Sequence, residues 1–167
     1  GMGFTHRVLD NPRPGRGPVF LATRQEGDHL PTVLIYGHGD VVRGLKGKWS
    51  EGLDPWEIVV RGDKWYGRGT VDNKGQHLIA IEALRAVIAE RGRLGFNATV
   101  LVETGEEQGS PGLRELLRAE KERLAAEVFI GLDGPRQTTF MPEMKLGARG
   151  GVAFDLVVQL RDHAHHS

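Results

Sequence analysis

The chain predicts a layered α/β/α domain built on a largely parallel, mixed β-sheet. Three observations lead there. Short apolar runs such as Thr32–Tyr36 suit strands buried on both faces. Stretches of helical periodicity lie between those runs, and glycine or proline marks the joints. Strand, helix, strand, helix, strand in succession is the pattern of a sheet covered on both sides.

Taken in order, Val8–Leu9 and Val19–Ala22 read as an edge strand and its neighbour, joined through the Pro- and Gly-rich stretch 11–18. Thr32–Tyr36 is a continuous apolar run closed by Gly37. Residues 49–56 form a loop broken by Gly52 and Pro55. Glu57–Arg61 and Lys64–Tyr66 then flank Gly62-Asp63 as a hairpin. From Asn73 to Arg91 the period turns helical, with Leu78, Ile81, Leu84 and Ile88 as one apolar stripe. Asn97–Glu103 is the next buried strand. Ser110-Pro111 supplies an N-cap and first helical residue for a helix running to Leu124. Val128–Leu132 is a further short buried strand, and 143–160 holds two strand-like stretches around Arg149-Gly150-Gly151.

Composition excludes several classes of partner. The 167 residues hold 22 Lys plus Arg against 22 Asp plus Glu, and this balance lacks the basic excess that phosphate binding needs. No apolar run approaches the ~20 residues of a membrane helix, and no signal segment opens the chain. The expectation is a cytoplasmic protein that binds neither nucleic acid nor membrane. Without cysteine, any metal must be held by His, Asp and Glu.

Those residue types gather where chemistry is expected. His38 and Asp40 follow the strand ending at Tyr36, Glu106 and Glu107 follow the strand ending at Glu103, and Asp133 follows Val128–Leu132. Asp72 lies where the Gly67-Arg68-Gly69 turn enters the long helix. Open α/β sheets bind ligands outside the carboxyl ends of their strands. Each residue alone has an ordinary reading: a turn histidine, a helix cap, a solvated acidic pair, an Asp-Gly-Pro turn. Together they would put several carboxylates in one crevice, a repulsion that two divalent cations resolve. Gly67–Asp72 is not a phosphate loop, because it lacks the final glycine and carries an acid.

Four segments, His38-Gly39-Asp40-Val41-Val42, Gly67 through Gly75, Glu106-Glu107-Gln108-Gly109-Ser110 and Leu132-Asp133-Gly134, resemble the M20 metallopeptidases in order and spacing. That group includes aminoacylases, desuccinylases, carboxypeptidases and carnosinase-like dipeptidases. Asp54-Pro55-Trp56 and Trp65–Gly69 look most like its dipeptidase and carboxypeptidase branch. The resemblance implies a zinc-peptidase-like catalytic domain over residues 1–146 and the first strand of a smaller lid or dimerisation domain over 147–167. It also implies hydrolysis of an amide bond in a small peptide or N-acyl amino acid, by a water bridging two divalent ions. Zinc is preferred for those ions, with manganese or cobalt as alternatives.

By motif, His38 and Asp133 would bind one ion, Asp72 would bridge both, and Glu107 would bind the second. Asp40 would orient His38, and Glu106 would act as general base. The Asp72–Asn73 peptide would be cis. His166, in a His-Ser ending that resembles the lid motif, would stabilise the oxyanion in a neighbouring site, which implies a homodimer; the other reading is a polar chain end. Compared with the family, the segment before the first buried strand is short, and the rest of the lid and a final histidine ligand are expected beyond Ser167. Two readings follow: a hydrolase completed by that further part, or an inactive fragment that keeps the fold and is either metal-binding or purely structural.

Overall fold

The computed structural model describes residues 1–134, 136, 138, 140–147 and 150–158. The chain divides into two units, Gly1–Gly134 and Pro135–Ser167. The first contains β1 (Thr5–Leu9), β2 (Val19–Arg24), β3 (Thr32–His38), β4 (Val59–Arg61), β5 (Lys64–Tyr66), α1 (Lys74–Arg91), β6 (Asn97–Glu103), α2 (Leu113–Ala119) and β7 (Val128–Gly131). Five strands form one sheet in the order β1-β2-β6-β3-β7, and β4 with β5 forms a separate hairpin. The sheet is mixed: β1 with β2 and β2 with β6 run antiparallel, whereas β3 runs parallel to both β6 and β7.

Alternation along the strands sends side chains to two layers. On one face Ala22, Ile35, Ala98 and Val100 pack with Leu84 of α1 and with Leu94. On the other, Val19, Leu21 and Leu101 pack with Leu116 of α2, flanked by Leu34 and Tyr36. Each fully buried aliphatic side chain here is worth about 1.5–3 kcal/mol of transfer free energy.

The connections explain where a ligand can sit. The chain leaves β3 for α1 on one face of the sheet, whereas it leaves the adjacent β6 for α2 on the other. Neighbouring strands whose helices go to opposite faces open a crevice between their carboxyl ends. That crevice lies between His38 and Glu103, which face each other in the β3–β6 register.

Several sequence expectations need correction. Leu78 is 52% exposed, so it is not part of the inward stripe of α1. The inward face of that helix begins with polar residues, Asn73 and His77, before Ala80, Leu84 and Val87. An apolar pattern misses a helix turn whose polar side chains face the strand ends. The second helix begins at Leu113, after Gly112 at φ 87°, and ends at Ala119. Ser110 adopts φ 52° and spends its hydroxyl elsewhere, as described below, so it is not the cap. The strand β7 is a sheet edge rather than a buried strand, with Phe129 65% exposed. No strand is present among the described residues of 143–158, whose Val152, Phe154 and Leu156 are exposed. Alternation alone cannot make a strand without a hydrogen-bonded neighbour.

Burial sets an expected contrast. Leu101→Ala should lower the stability measured by urea unfolding by about 2–5 kcal/mol, because Leu101 is 2% exposed at the centre of the sheet. Phe129→Ala on the open edge should change it by only about 0.5 kcal/mol.

Candidate metal centre

His38 closes β3 and is wholly buried. Gly37 before it permits a close approach: a Cβ there would lie 2.8 Å from Asn73 Oδ1 and from His77. On one side of the imidazole, Nδ1 lies 3.2 Å from the Asp40 carbonyl oxygen and 3.3 Å from Asp40 Oδ1. Both neighbours are acceptors, so a neutral ring carries its proton on Nδ1 and keeps its lone pair on Nε2. On that other side, Nε2 lies 3.0 Å from Asp72 Oδ1, 3.8 Å from Glu106 Oε2 and 3.8 Å from Asp133 Oδ2. Three carboxylates from three segments therefore surround one nitrogen.

The turn bearing Glu106 and Glu107 is held from the front by Asp40. Its Oδ1 accepts the Glu106 N–H at 3.2 Å and its Oδ2 accepts the Glu107 N–H at 3.1 Å. These are the first amides of the short helical turn Glu106–Gln108, where a carboxylate is favoured.

The acids also shift one another's protonation. Burial pulls the His38 pKa down, but the fields of Asp133, Glu106, Asp40 and Asp72 outweigh it, and the net shift is upward. Glu106 is raised first by burial, against the pull of His38, and further by Asp133, Glu107 and Asp40. His77 is lowered by burial and by the nearby His38 and Lys74.

Residues that the sequence reading passed over hold this arrangement together. Asn73 is wholly buried and follows a cis Asp72–Asn73 peptide, as expected. Its Oδ1 accepts the His38 N–H at 3.0 Å, and its Nδ2 donates to the Leu132 carbonyl and, at 2.7 Å, to Gln76 Oε1. One amide thus ties the end of β3, the chain beyond β7 and the start of α1. Lys74 Nζ donates to the Gly39 carbonyl at 3.1 Å. Behind His38, the buried Glu103 accepts hydrogen bonds from Tyr36 Oη and Ser110 Oγ. Burial and then Glu103 push the Tyr36 hydroxyl above the ordinary phenol range, so it stays a donor. An acid at the end of an otherwise apolar strand was the signal available for Glu103.

Six of the predicted site residues, His38, Asp40, Asp72, Glu106, Glu107 and Asp133, come together. His166 lies outside the described residues. Two groupings have ligand atoms all within 4.8 Å of one another: His38 with Asp72 and Asp133, and His38 with Glu106 and Glu107. The first is the ligand set expected for one ion. The second joins Glu107 to His38 and Glu106, whereas the motif reading joined it to Asp72. A cavity beside the cluster is lined by Val42, Arg68, Gly69, Thr70, Asp72 and Glu107, among others.

The donor set fits a divalent cation. Nε2 and the carboxylate oxygens around it are all acceptors when His38 is neutral, so only a proton or a cation reconciles them.

An α/β domain with a histidine and several carboxylates converging at its strand ends has the make-up of a metal centre. Residues 34–148 match the family model for Peptidase family M20/M25/M40, and the chain belongs to that family. It is 32% identical over 163 residues to a cysteinylglycine-S-conjugate dipeptidase of Corynebacterium striatum, covering 96% of this chain and 35% of that protein. Human carnosine dipeptidase 1 superposes with a TM-score of 0.71 at 33% identity, over 80% of this chain and 30% of the other. An M20 family metallo-carboxypeptidase of Sulfolobus solfataricus superposes with a TM-score of 0.70 at 26% identity, over 78% and 28%. The chain spans about a third of the length of the curated relatives it matches.

The raised His38 and Glu106 pKa values set a pH dependence. A histidine raised above 6.5 stabilises the folded state fully below that value, and the contribution is lost as pH rises through the shifted one. Glu106, raised above 4.5, acts in the same direction at lower pH. In protein held in chelator, the melting temperature should therefore fall as pH rises past 6.5. The His38→Gln variant should show a flatter profile.

Proposed function

We propose that this chain carries the ion-binding core of an amide-bond hydrolase acting on small peptides or N-acyl amino acids. The observation that supports it most is His38 Nε2 ringed by Asp72, Glu106 and Asp133. In this reading His38 and Asp133 would hold one divalent ion, Glu107 would hold a second, and Asp72 would serve both. Zinc is the preferred ion, with manganese or cobalt as alternatives. When bound, such ions polarise the scissile carbonyl and make a water nucleophilic at neutral pH.

The chain's own residues do the rest. Asp40 keeps the Nδ1 proton of His38 in place, leaving Nε2 as the ligand atom. Glu106, with its affinity for a proton raised by burial and by neighbouring acids, takes the proton of the attacking water and delivers it to the leaving amine. Dipeptides are the first substrates to try, since two of the similar proteins are dipeptidases. His166 is assigned to oxyanion stabilisation in a neighbouring copy, which makes the working form a homodimer.

One observation favours a second reading, metal binding without turnover. Among the described residues, the Glu106–Glu107 grouping has no histidine of its own and shares His38 with the other grouping.

Elemental analysis of the purified chain separates these possibilities. Near-stoichiometric zinc, lost in His38→Ala and in Asp72→Ala, is the expected result. Glu106→Gln should keep its metal while dipeptide hydrolysis falls by about 10²–10⁴-fold. Metal retained without hydrolysis in the unmutated chain supports the second reading. A chain that takes up no zinc contradicts both.

A further inference from the structure

Glu103 is an acid with 2% of its surface exposed that the catalytic proposal does not use. Its backbone and its side chain serve two different parts of the centre. The carbonyl accepts the Gly39 N–H at 2.8 Å, binding the segment just after His38. The side chain uses a single oxygen, Oε1, for two bonds: Tyr36 Oη donates at 2.6 Å and Ser110 Oγ at 2.7 Å. Tyr36 lies on β3, two residues before His38. Ser110 closes the loop that carries Glu106 and Glu107, where its own N–H donates to the Gly105 carbonyl at 2.8 Å.

That loop is therefore gripped at both ends. Asp40 holds its first amides, and Glu103 holds the hydroxyl at its exit. Ser110 sits at φ 52°, a left-handed conformation that a residue with a Cβ adopts at a cost, and the bond to Glu103 helps retain it there. The Tyr36 and Ser110 bonds meet on one oxygen, so the strand bearing His38 and the loop bearing Glu107 are registered against a common point.

We infer that Glu103 is a positioning residue for the metal centre. Through Tyr36 and Ser110 it fixes the loop of Glu106 and Glu107 relative to His38, and so sets the affinity of the Glu107 side for its ion. This rests on the metal reading proposed above. Partners that orient metal ligands from behind typically matter by about 10–100-fold in affinity.

Zinc titration by calorimetry tests it on the chain itself, with Tyr36→Phe, Ser110→Ala, Glu103→Gln and Glu103→Leu. Tyr36→Phe and Ser110→Ala each remove one donor and should weaken the second zinc-binding event by about 10–100-fold. The first event, at His38, Asp72 and Asp133, should change far less. Glu103→Gln keeps an oxygen able to accept both bonds and should bind nearly as the unmutated chain does, whereas Glu103→Leu should resemble the two donor deletions combined. Amide exchange gives a metal-independent readout: the Glu106 and Glu107 N–H groups should exchange faster in Tyr36→Phe and Ser110→Ala, with the β2–β6 ladder unchanged. Variants that lose stability but keep both affinities and those exchange rates would show a purely structural role and overturn the inference. An unmutated chain that binds no zinc would instead overturn the metal reading beneath it.

Discussion

The structure depends on one electrostatic constraint, the crowding of Asp72, Glu106 and Asp133 around the buried Nε2 of His38. No arrangement of neutral imidazole and ionised carboxylates is comfortable at that spacing. Either the ring takes a proton, which the surrounding acids favour, or a cation occupies the space between. The carboxylates come from segments far apart in sequence, so the fold supplies the energy that holds them together.

The sheet does this by placing its switch point at β3 and β6. Their helices leave on opposite faces, and the crevice between the strand ends receives His38 from one strand and the Glu106–Glu107 loop from the other. Gly37 lets α1 approach closely enough for Asn73 to reach the His38 backbone. Asn73 then anchors the chain leading to Asp133 through the Leu132 carbonyl. Asp40 and Glu103 hold the acidic loop from opposite ends. The packing of Leu84 on one face and Leu116 on the other supports these polar contacts without taking part in them.

Much of this was legible in the sequence because strand ends are marked by where an apolar run stops. His38, Asp40, Glu106, Glu107 and Asp133 are marked that way, and Asp72 by the turn entering a helix. The cis Asp72–Asn73 peptide and the separate roles of these six residues come from resemblance to the M20 metallopeptidases rather than from any local pattern. Asn73, Glu103, Tyr36 and Ser110 were not found. Their partners are set by tertiary placement, with Asn73 and Leu132 separated by 59 positions, and periodicity carries no trace of such bonds. The same blindness misassigned Ser110 as a helix cap, since a hydroxyl before a proline gives the same local signal whichever partner it takes. Leu78 reads as inward because the apolar stripe extends to it, although the inward positions at the start of α1 belong to its cap residue Asn73 and to His77.

The most direct test of the account is the nitrogen NMR spectrum of the His38 ring, recorded on the chain in chelator and again at saturating zinc. Zinc should shift Nε2 to a metal-bound position while Nδ1 keeps its proton against Asp40. A His38 ring that does not respond to zinc, or one that binds it through Nδ1, would contradict a metal centre built on Nε2.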